Sequence, residues 1–163
     1  MTASPETATP PAPPPGSMPV TVTVQYIKDF SFESPNAPQI FAPTDKPPQL
    51  SMGVNIHTRV LAENNHEVLL ALKLEAKLDG KTAFIAELIY GGVFVLPAMP
   101  EESMRFFLLV EAPRLLFPFA RGILSGAVRD GGFPHVMINP IDFMGLYIAN
   151  KNNVGAMPAA GAA

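Results

Sequence analysis

Apolar and polar residues alternate through most of the first half of the chain, with the period of two that is typical of half-buried β-strands. The pattern predicts a four-stranded antiparallel meander with one face turned toward helices, its strands spanning residues 20–33, 50–61, 66–78 and 82–96. On the first strand one face is expected to carry Val20, Val22, Val24, Tyr26, Phe30 and Phe32, with Lys28 as the exception.

A proline-rich connection separates the first two strands. Three prolines interrupt residues 39–49, so no regular element is expected there. A connection of this length between strands usually crosses over or covers another part of the fold. Its Phe41 either covers the chain's own core or forms the lip of a groove, and both interpretations stay open at this point.

The turn between the third and fourth strands determines which way Glu87 points. A two-residue turn would pair Leu72 with Glu87 and bury an unpaired carboxylate, which costs several kcal/mol. A three-residue loop over residues 78–80 pairs Leu72 with Ala86 instead and turns Glu87 outward, so we predict that loop. Farther along the fourth strand, Gly91-Gly92 indicates a bulge or a close backbone contact.

The period changes to that of a helix over residues 101–131. Pro113 and Pro118 cannot donate backbone hydrogen bonds, so we expect this long helix to be kinked or broken between residues 111 and 118. The main helix that follows is expected to end at Asp130, because two glycines come directly after it.

Small residues mark a second face of the main helix, at Gly122, Ser125 and Gly126. A glycine inside a helix costs roughly 1 kcal/mol relative to alanine, so two so close together call for a reason. Either a second copy of this chain supplies another backbone that approaches closely, or this is a core helix that happens to contain glycines. A short final helix is predicted over residues 142–150.

Composition changes this picture because the chain is unusually apolar. Hydrophobic residues make up 48% of the 163 and charged residues only 15%, a surplus that favours an oligomer interface or an apolar binding surface. Charges interrupt the most apolar segment and the N-terminus lacks a secretory-signal pattern, so we expect a cytoplasmic protein without a membrane span. A folded domain over residues 20–151 is expected between a Pro/Ala-rich extension (1–19), either disordered or a polyproline ligand, and a flexible tail (152–163).

No set of residues has the pattern of a catalytic or metal site. His57, His66 and His135 lack metal-ligand spacing, and there is no nucleophile elbow or phosphate loop. A net charge of −3 with 11 dispersed Lys and Arg residues argues against nucleic-acid binding. We therefore expect neither an enzyme nor a bound cofactor.

Acidic side chains do gather on the outer face of the predicted sheet, the face turned away from the helices. Asp29 and Glu33 point the same way on the first strand, and Glu87 points outward on the fourth beside Ile85. Such a face is either a docking surface for a basic partner or an ordinary solvated sheet face.

Four blocks of sequence, in order between Val24 and Tyr147, resemble the SecB family of protein-export chaperones, and in particular its alpha-proteobacterial members. The blocks are QYIKDFSFESPNAPQIF, TAFIAELIYGGVF, LLFPFARGILSGAVRDGGFP and NPIDFMGLY. The resemblance implies an α+β fold with a four-stranded antiparallel sheet and helices. It also implies a homotetramer, a dimer of dimers in which the long helices pack between two sheet layers.

The family also implies a function and the residues that carry it. A SecB protein is an ATP-independent cytosolic holdase that binds unfolded preproteins and delivers them to the SecA motor ATPase. The residues implied for SecA binding are Asp29, Glu33, Ile85 and Glu87. Those implied for an apolar client groove are Phe30, Phe41, Tyr90, Phe94 and Phe143. The interface helix maps to residues 115–129, with Leu116, Phe119, Gly122, Ile123 and Gly126 as the oligomer contacts.

The sequence departs from the family pattern at its ends and in its charge. The N-terminal extension is long and proline-rich, and the C-terminal tail is neutral where relatives carry polar or acidic residues that make a second SecA contact. The acidic charge is also mild for the family, which predicts weaker electrostatic attraction to SecA. The alternative function is a SecB-like adaptor dedicated to a single partner, such as an antitoxin-type client.

Overall fold

A computed structural model describes residues 19–152 of the chain, and the expectations for residues 1–18 and 153–163 lie outside that range. The fold is α+β, as predicted, with a four-stranded antiparallel sheet, a long helix and a short C-terminal helix. The strands are β1 (Thr21–Glu33), β2 (Gln49–Ala62), β3 (Asn65–Leu78) and β4 (Lys81–Val95). The helices are α1 (Glu101–Phe106), α2 (Ala112–Asp130) and α3 (Phe143–Asn152), with a π-helical turn at Phe107–Glu111 and a 3-10 turn at Gln39–Phe41.

The order of strands in the sheet is β1-β4-β3-β2, so the predicted meander is wrong for the first strand. Strands β2, β3 and β4 follow one another as hairpins, while β1 pairs with β4 at the far edge, as in a Greek key. The proline-rich connection therefore crosses from one edge of the sheet to the other. Its start is tied to β4, because Ser34 Oγ and Asn36 Nδ2 donate hydrogen bonds to the carbonyl oxygens of Ala83 and Thr82 at 2.8 and 2.9 Å.

The β3–β4 hairpin also differs from the prediction. It closes with the two-residue turn that was rejected, in which Asp79 (φ 51°) and Gly80 (φ 77°) are both left-handed. A register shift just beyond the turn then moves every later pair by one residue, so Leu72 lies opposite Leu88. Glu87 does face outward, but the reason is this irregularity within the strands and not a longer loop.

Strand β1 does not keep a single alternation. Its register against β4 shifts at Thr23 and again at Lys28. The pairing partners put Tyr26 on the outer face of the sheet and Phe30 and Phe32 on the inner face, so the prediction that they share a face is wrong. Lys28, the exception in the sequence pattern, is the extra residue of the second bulge.

The core lies between the inner face of the sheet and α2, which packs across β4 and β3. The buried side of α2 repeats every three or four residues: Ala112, Pro113, Leu116, Phe117, Ala120, Leu124 and Val128. The sheet contributes the buried side chains Val68, Leu70, Leu72, Leu74, Phe84, Ala86, Leu88, Phe94 and Leu96. Gly92 permits the close approach, because a Cβ there would lie only 2.8 Å from Leu116 Cδ2.

The long helix runs from Glu101 to Asp130 without the predicted break at 111–118. The irregular part is the π-helical turn that directly precedes Ala112 and Pro113, and Pro118 lies inside α2 without ending it. The helix ends in a Schellman motif. Gly132 takes the left-handed position (φ +90°), and the N–H groups of Gly132 and Phe133 donate to Arg129 and Val128 at 3.0 and 3.2 Å.

Candidate functional site

The four residues predicted to bind SecA lie on one patch of the outer sheet face, which we call the acidic patch: Asp29, Glu33, Ile85 and Glu87. Strand pairing sets their spacing, because Glu33 lies opposite Ile85 and Ser31 lies opposite Glu87. Directly opposed residues on adjacent strands have their Cβ atoms about 5 Å apart. The three carboxylates are exposed and Ile85 is half-buried, so the patch combines negative charge with a small apolar surface.

Beside the acidic patch lies a shallow depression of about 380 Å³. Asp29, Glu87 and Ile89 line one side, and Asn55 and Lys73 line the other. Its charges are mixed, since Lys73 Nζ lies 2.9 Å from Glu87 Oε1. The hydrogen bond to Glu87 and the negative charge of that carboxylate raise the pKa of Lys73. A basic partner that binds Glu87 has to compete with Lys73. The sequence analysis missed Lys73 because the register predicted for β3 and β4 did not place it opposite Glu87.

The predicted client residues divide into a buried and an exposed group. Phe94 is 0% exposed and packs edge-on against Phe107 at 5.7 Å, and Phe143 is 1% exposed. Tyr90 is buried as well. The structure therefore places these three side chains in the core, where they present almost no surface to a client. Phe30 and Phe41, the other two, are exposed.

A second apolar surface was not anticipated from the sequence. A groove of about 380 Å³ runs between β2 and the segment before α3; we call it the β2 groove. Its apolar lining consists of Leu50, Met52, Val54, Leu74, Val136, Met137, Ile138 and Ile141. Met137 is 76% exposed and Leu50 is also exposed, so much of this apolar surface faces solvent. The groove brings together two segments far apart in sequence, so local periodicity could not reveal it.

The predicted oligomer contacts lie on two sides of α2. Leu116 is fully buried against the chain's own sheet, so it is a core residue. Phe119, by contrast, is 54% exposed, and an added Cβ at Gly122 or Gly126 would meet nothing within 4 Å. Ile123 is half-buried between these two sides. We call the exposed side, formed by Leu115, Phe119, Gly122 and Gly126, the α2 ridge.

Across residues 19–152 no helix is both long enough and apolar enough to cross a membrane. Within the same range no three His, Asp or Glu side chains come together as they would around a metal ion.

Comparison with known proteins gives a consistent result. The family model described as preprotein translocase subunit SecB matches residues 15–154. A protein-export protein SecB from Bradyrhizobium sp. is 46% identical over 158 residues, which cover 97% of this chain and 93% of the relative. The protein of the same name from Granulibacter bethesdensis is 51% identical over 141 residues, or 82% of each chain.

Among solved structures, a SecB-like chaperone of Mycobacterium tuberculosis in complex with an antitoxin peptide aligns with a TM-score of 0.64. The alignment covers 76% of this chain and 91% of that one at 9% identity, so it supports the fold alone. The family match and the two relatives carry the assignment. This chain belongs to the SecB family of preprotein translocase subunits, the family of protein-export chaperones.

Proposed function

We propose that this chain is an ATP-independent holdase of the cytoplasm, which binds unfolded preproteins, keeps them competent for translocation and delivers them to SecA. The observation that carries the proposal is that large apolar side chains face solvent on a stable sheet-and-helix scaffold in a chain of the SecB family. A holdase needs such surfaces and no chemistry. Exposed apolar patches of this kind mark sites of protein contact.

The client surface in this proposal is the β2 groove together with exposed aromatic side chains on the proline-rich connection and β1. Phe41 packs on Phe133 with ring centroids 4.9 Å apart, which holds it in place while part of its ring stays exposed. Met137 adds a flexible side chain that adapts to different partners. An extended client segment would bury several apolar side chains along this surface, with many weak contacts adding up.

The SecA surface in this proposal is the acidic patch. It lies on the opposite face of the sheet from the apolar surfaces, so a client and SecA could bind at the same time. Three exposed carboxylates would attract a basic surface and orient it, with Ile85 as the apolar contact.

The α2 ridge supports the proposed dimer of dimers. Phe119 and Leu115 are large apolar side chains on the outside of a helix, beside two glycines that leave room for a second backbone. Packing α2 against α2 of another copy would bury these side chains and place the helices between two sheets.

The test is a refolding assay without nucleotide. A slowly folding preprotein is diluted from denaturant with and without this protein, and we expect refolding to stop near one tetramer per client. Unchanged refolding with a folded, oligomeric protein would contradict the general holdase role. Capture of one antitoxin-type partner alone would instead favour the dedicated adaptor.

The SecA step is tested with Asp29→Ala combined with Glu87→Ala, which we expect to weaken SecA binding and leave the arrest of refolding intact. The matched control is Asp45→Ala combined with Glu63→Ala, which removes the same charge from exposed positions outside the acidic patch. Equal loss of SecA binding in both double variants would mean that net charge matters and the patch does not.

A further inference from the structure

We propose that Lys73 is an internal competitor for the acidic patch: its ammonium group occupies Glu87 in the free chain, and a basic side chain of SecA has to displace it. The inference rests on the proposed function, because it concerns how tightly that same surface binds SecA. Lys73 would hold the affinity below what the carboxylates alone would give, and it would set how the affinity depends on salt.

The contact between the two residues follows from the pairing of their strands. Lys73 of β3 lies directly opposite Glu87 of β4, and Lys73 Nζ is 2.9 Å from Glu87 Oε1. The two side chains are 53% and 51% exposed, so the pair can open without disturbing the core. An exposed ion pair contributes little to stability, which makes it weak enough for a partner to break.

Lys73 places a positive charge among the carboxylates that a basic partner would bind. The hydrogen bond to Glu87 and the charge of that carboxylate raise the pKa of Lys73, and the charges of Glu75 and Glu33 add to the rise. The ammonium group therefore stays charged at neutral pH, where it repels an approaching cation as well as occupying Glu87.

The sheet leaves room for Lys73 to move aside. On β2 the residue opposite Lys73 is Gly53, which has no side chain, and an added Cβ there would meet Lys73 Cβ at 3.8 Å. The depression beside the acidic patch is lined by this glycine and by Asn55 of the same strand. A released Lys73 side chain can turn away from β4 into that space and leave Glu87 to the partner.

Lys73→Met removes the competing charge and keeps a long, unbranched side chain. In the full chain we expect it to tighten SecA binding about two- to fivefold at low salt, because an exposed ion pair no longer has to be broken. Affinity should also fall more steeply with added salt, because salt then weakens only the new contacts and no longer an internal pair as well. The arrest of client refolding should stay unchanged.

The matched control is Lys77→Met, which removes the same charge from the same strand. Lys77 is 52% exposed and lies 3.7 Å from Glu75 Oε1, outside the acidic patch. Equal tightening by the two substitutions would overturn the proposal in favour of net charge. In a Glu87→Gln chain we expect the gain from Lys73→Met to fall to that of the control. A gain that persists there, or no gain in the otherwise unchanged chain, would also overturn the proposal.

A measurement without SecA separates the two proposals. Acetic anhydride acetylates only unprotonated amines, so the ion pair should slow acetylation of Lys73 at about pH 8, and peptide mass spectrometry gives the rate at each lysine. We expect Glu87→Gln to speed acetylation of Lys73 about two- to fivefold and to leave Lys77 unchanged. An unchanged rate at Lys73 would refute the competition. Absent SecA binding by the wild-type chain, with the rate at Lys73 increased, would refute the proposed function while the ion pair itself stood.

Discussion

Gly92→Ala should destabilise the protein by pushing α2 away from the sheet. The new Cβ would lie 2.8 Å from Leu116 Cδ2 and 2.9 Å from Phe94 Cε2, about 1 Å closer than ordinary carbon contacts. Both neighbours are fully buried, so either can move away only by repacking the core around it. Overpacking of this kind costs about 1–3 kcal/mol, and replacing a strand glycine by alanine returns roughly 0.5–1 kcal/mol of backbone entropy. We expect a net loss of about 1–2 kcal/mol.

The assay is urea unfolding followed by far-UV circular dichroism, since the chain contains no tryptophan. All variants are compared at one protein concentration, because assembly raises apparent stability. With a dependence of about 2 kcal/mol per molar urea, the middle of the usual range, the midpoint should fall by about 0.5–1 M. Gly53→Ala is the matched control, since a Cβ on that strand glycine would meet only Lys73 Cβ at an ordinary 3.8 Å. A Gly92→Ala midpoint at or above that of the control would refute the close packing of α2 on β4.

Two further predictions concern Tyr26, whose hydroxyl donates to Glu67, and two phenylalanines, one buried and one exposed. Burial, the hydrogen bond to Glu67 and the charge of that carboxylate raise the pKa of Tyr26 from 10.0 to about 12. The stability that protonated Tyr26 gives the folded chain should therefore be complete below pH 10 and lost as pH rises through 12. Tyrosinate absorbance should show a late step that Tyr26→Phe removes, and a titration unchanged by that substitution would contradict the contact between Tyr26 and Glu67. Phe143 is buried, so Phe143→Ala should lower the free energy of unfolding in urea by about 3–5 kcal/mol. Phe119 is exposed on the α2 ridge, so Phe119→Ala should mainly reduce the tetramer fraction in sedimentation. The reverse pattern would contradict the assignment of Phe143 to the core and of Phe119 to the interface.

The Glu67 carboxylate itself could not be assigned a role from the sequence. Burial raises its pKa, but hydrogen bonds from Tyr26 and Lys28 and the charges of Lys28 and Arg59 outweigh that effect, so the pKa is lowered overall. In the sequence Glu67 is one of several charged residues that alternate along the outer side of a strand. Only the pairing of three strands brings its partners within reach.

Local periodicity was sufficient for most of the elements. Four strands, the long helix, its end at Asp130 and the short last helix follow from side-chain spacing and from glycine and proline chemistry, which act over a few residues. The SecB resemblance, also visible in the sequence, led to the family that the comparisons then showed. One signal was visible but misread: Lys28 interrupted the apolar side of the first strand because it sits in a bulge.

Tertiary structure alone decided which strands pair, in what register, and which apolar side chains remain exposed. Alternation says that a strand exists but not which neighbour it chooses, so the pairing of β1 with β4 could not be derived from it. The same holds for the aromatic residues, since Phe143 is buried and Phe41 is exposed although both occupy apolar positions in short segments. The physical reason is that pairing and burial are set by packing between residues far apart in the chain, whereas periodicity reports only the geometry of each segment by itself.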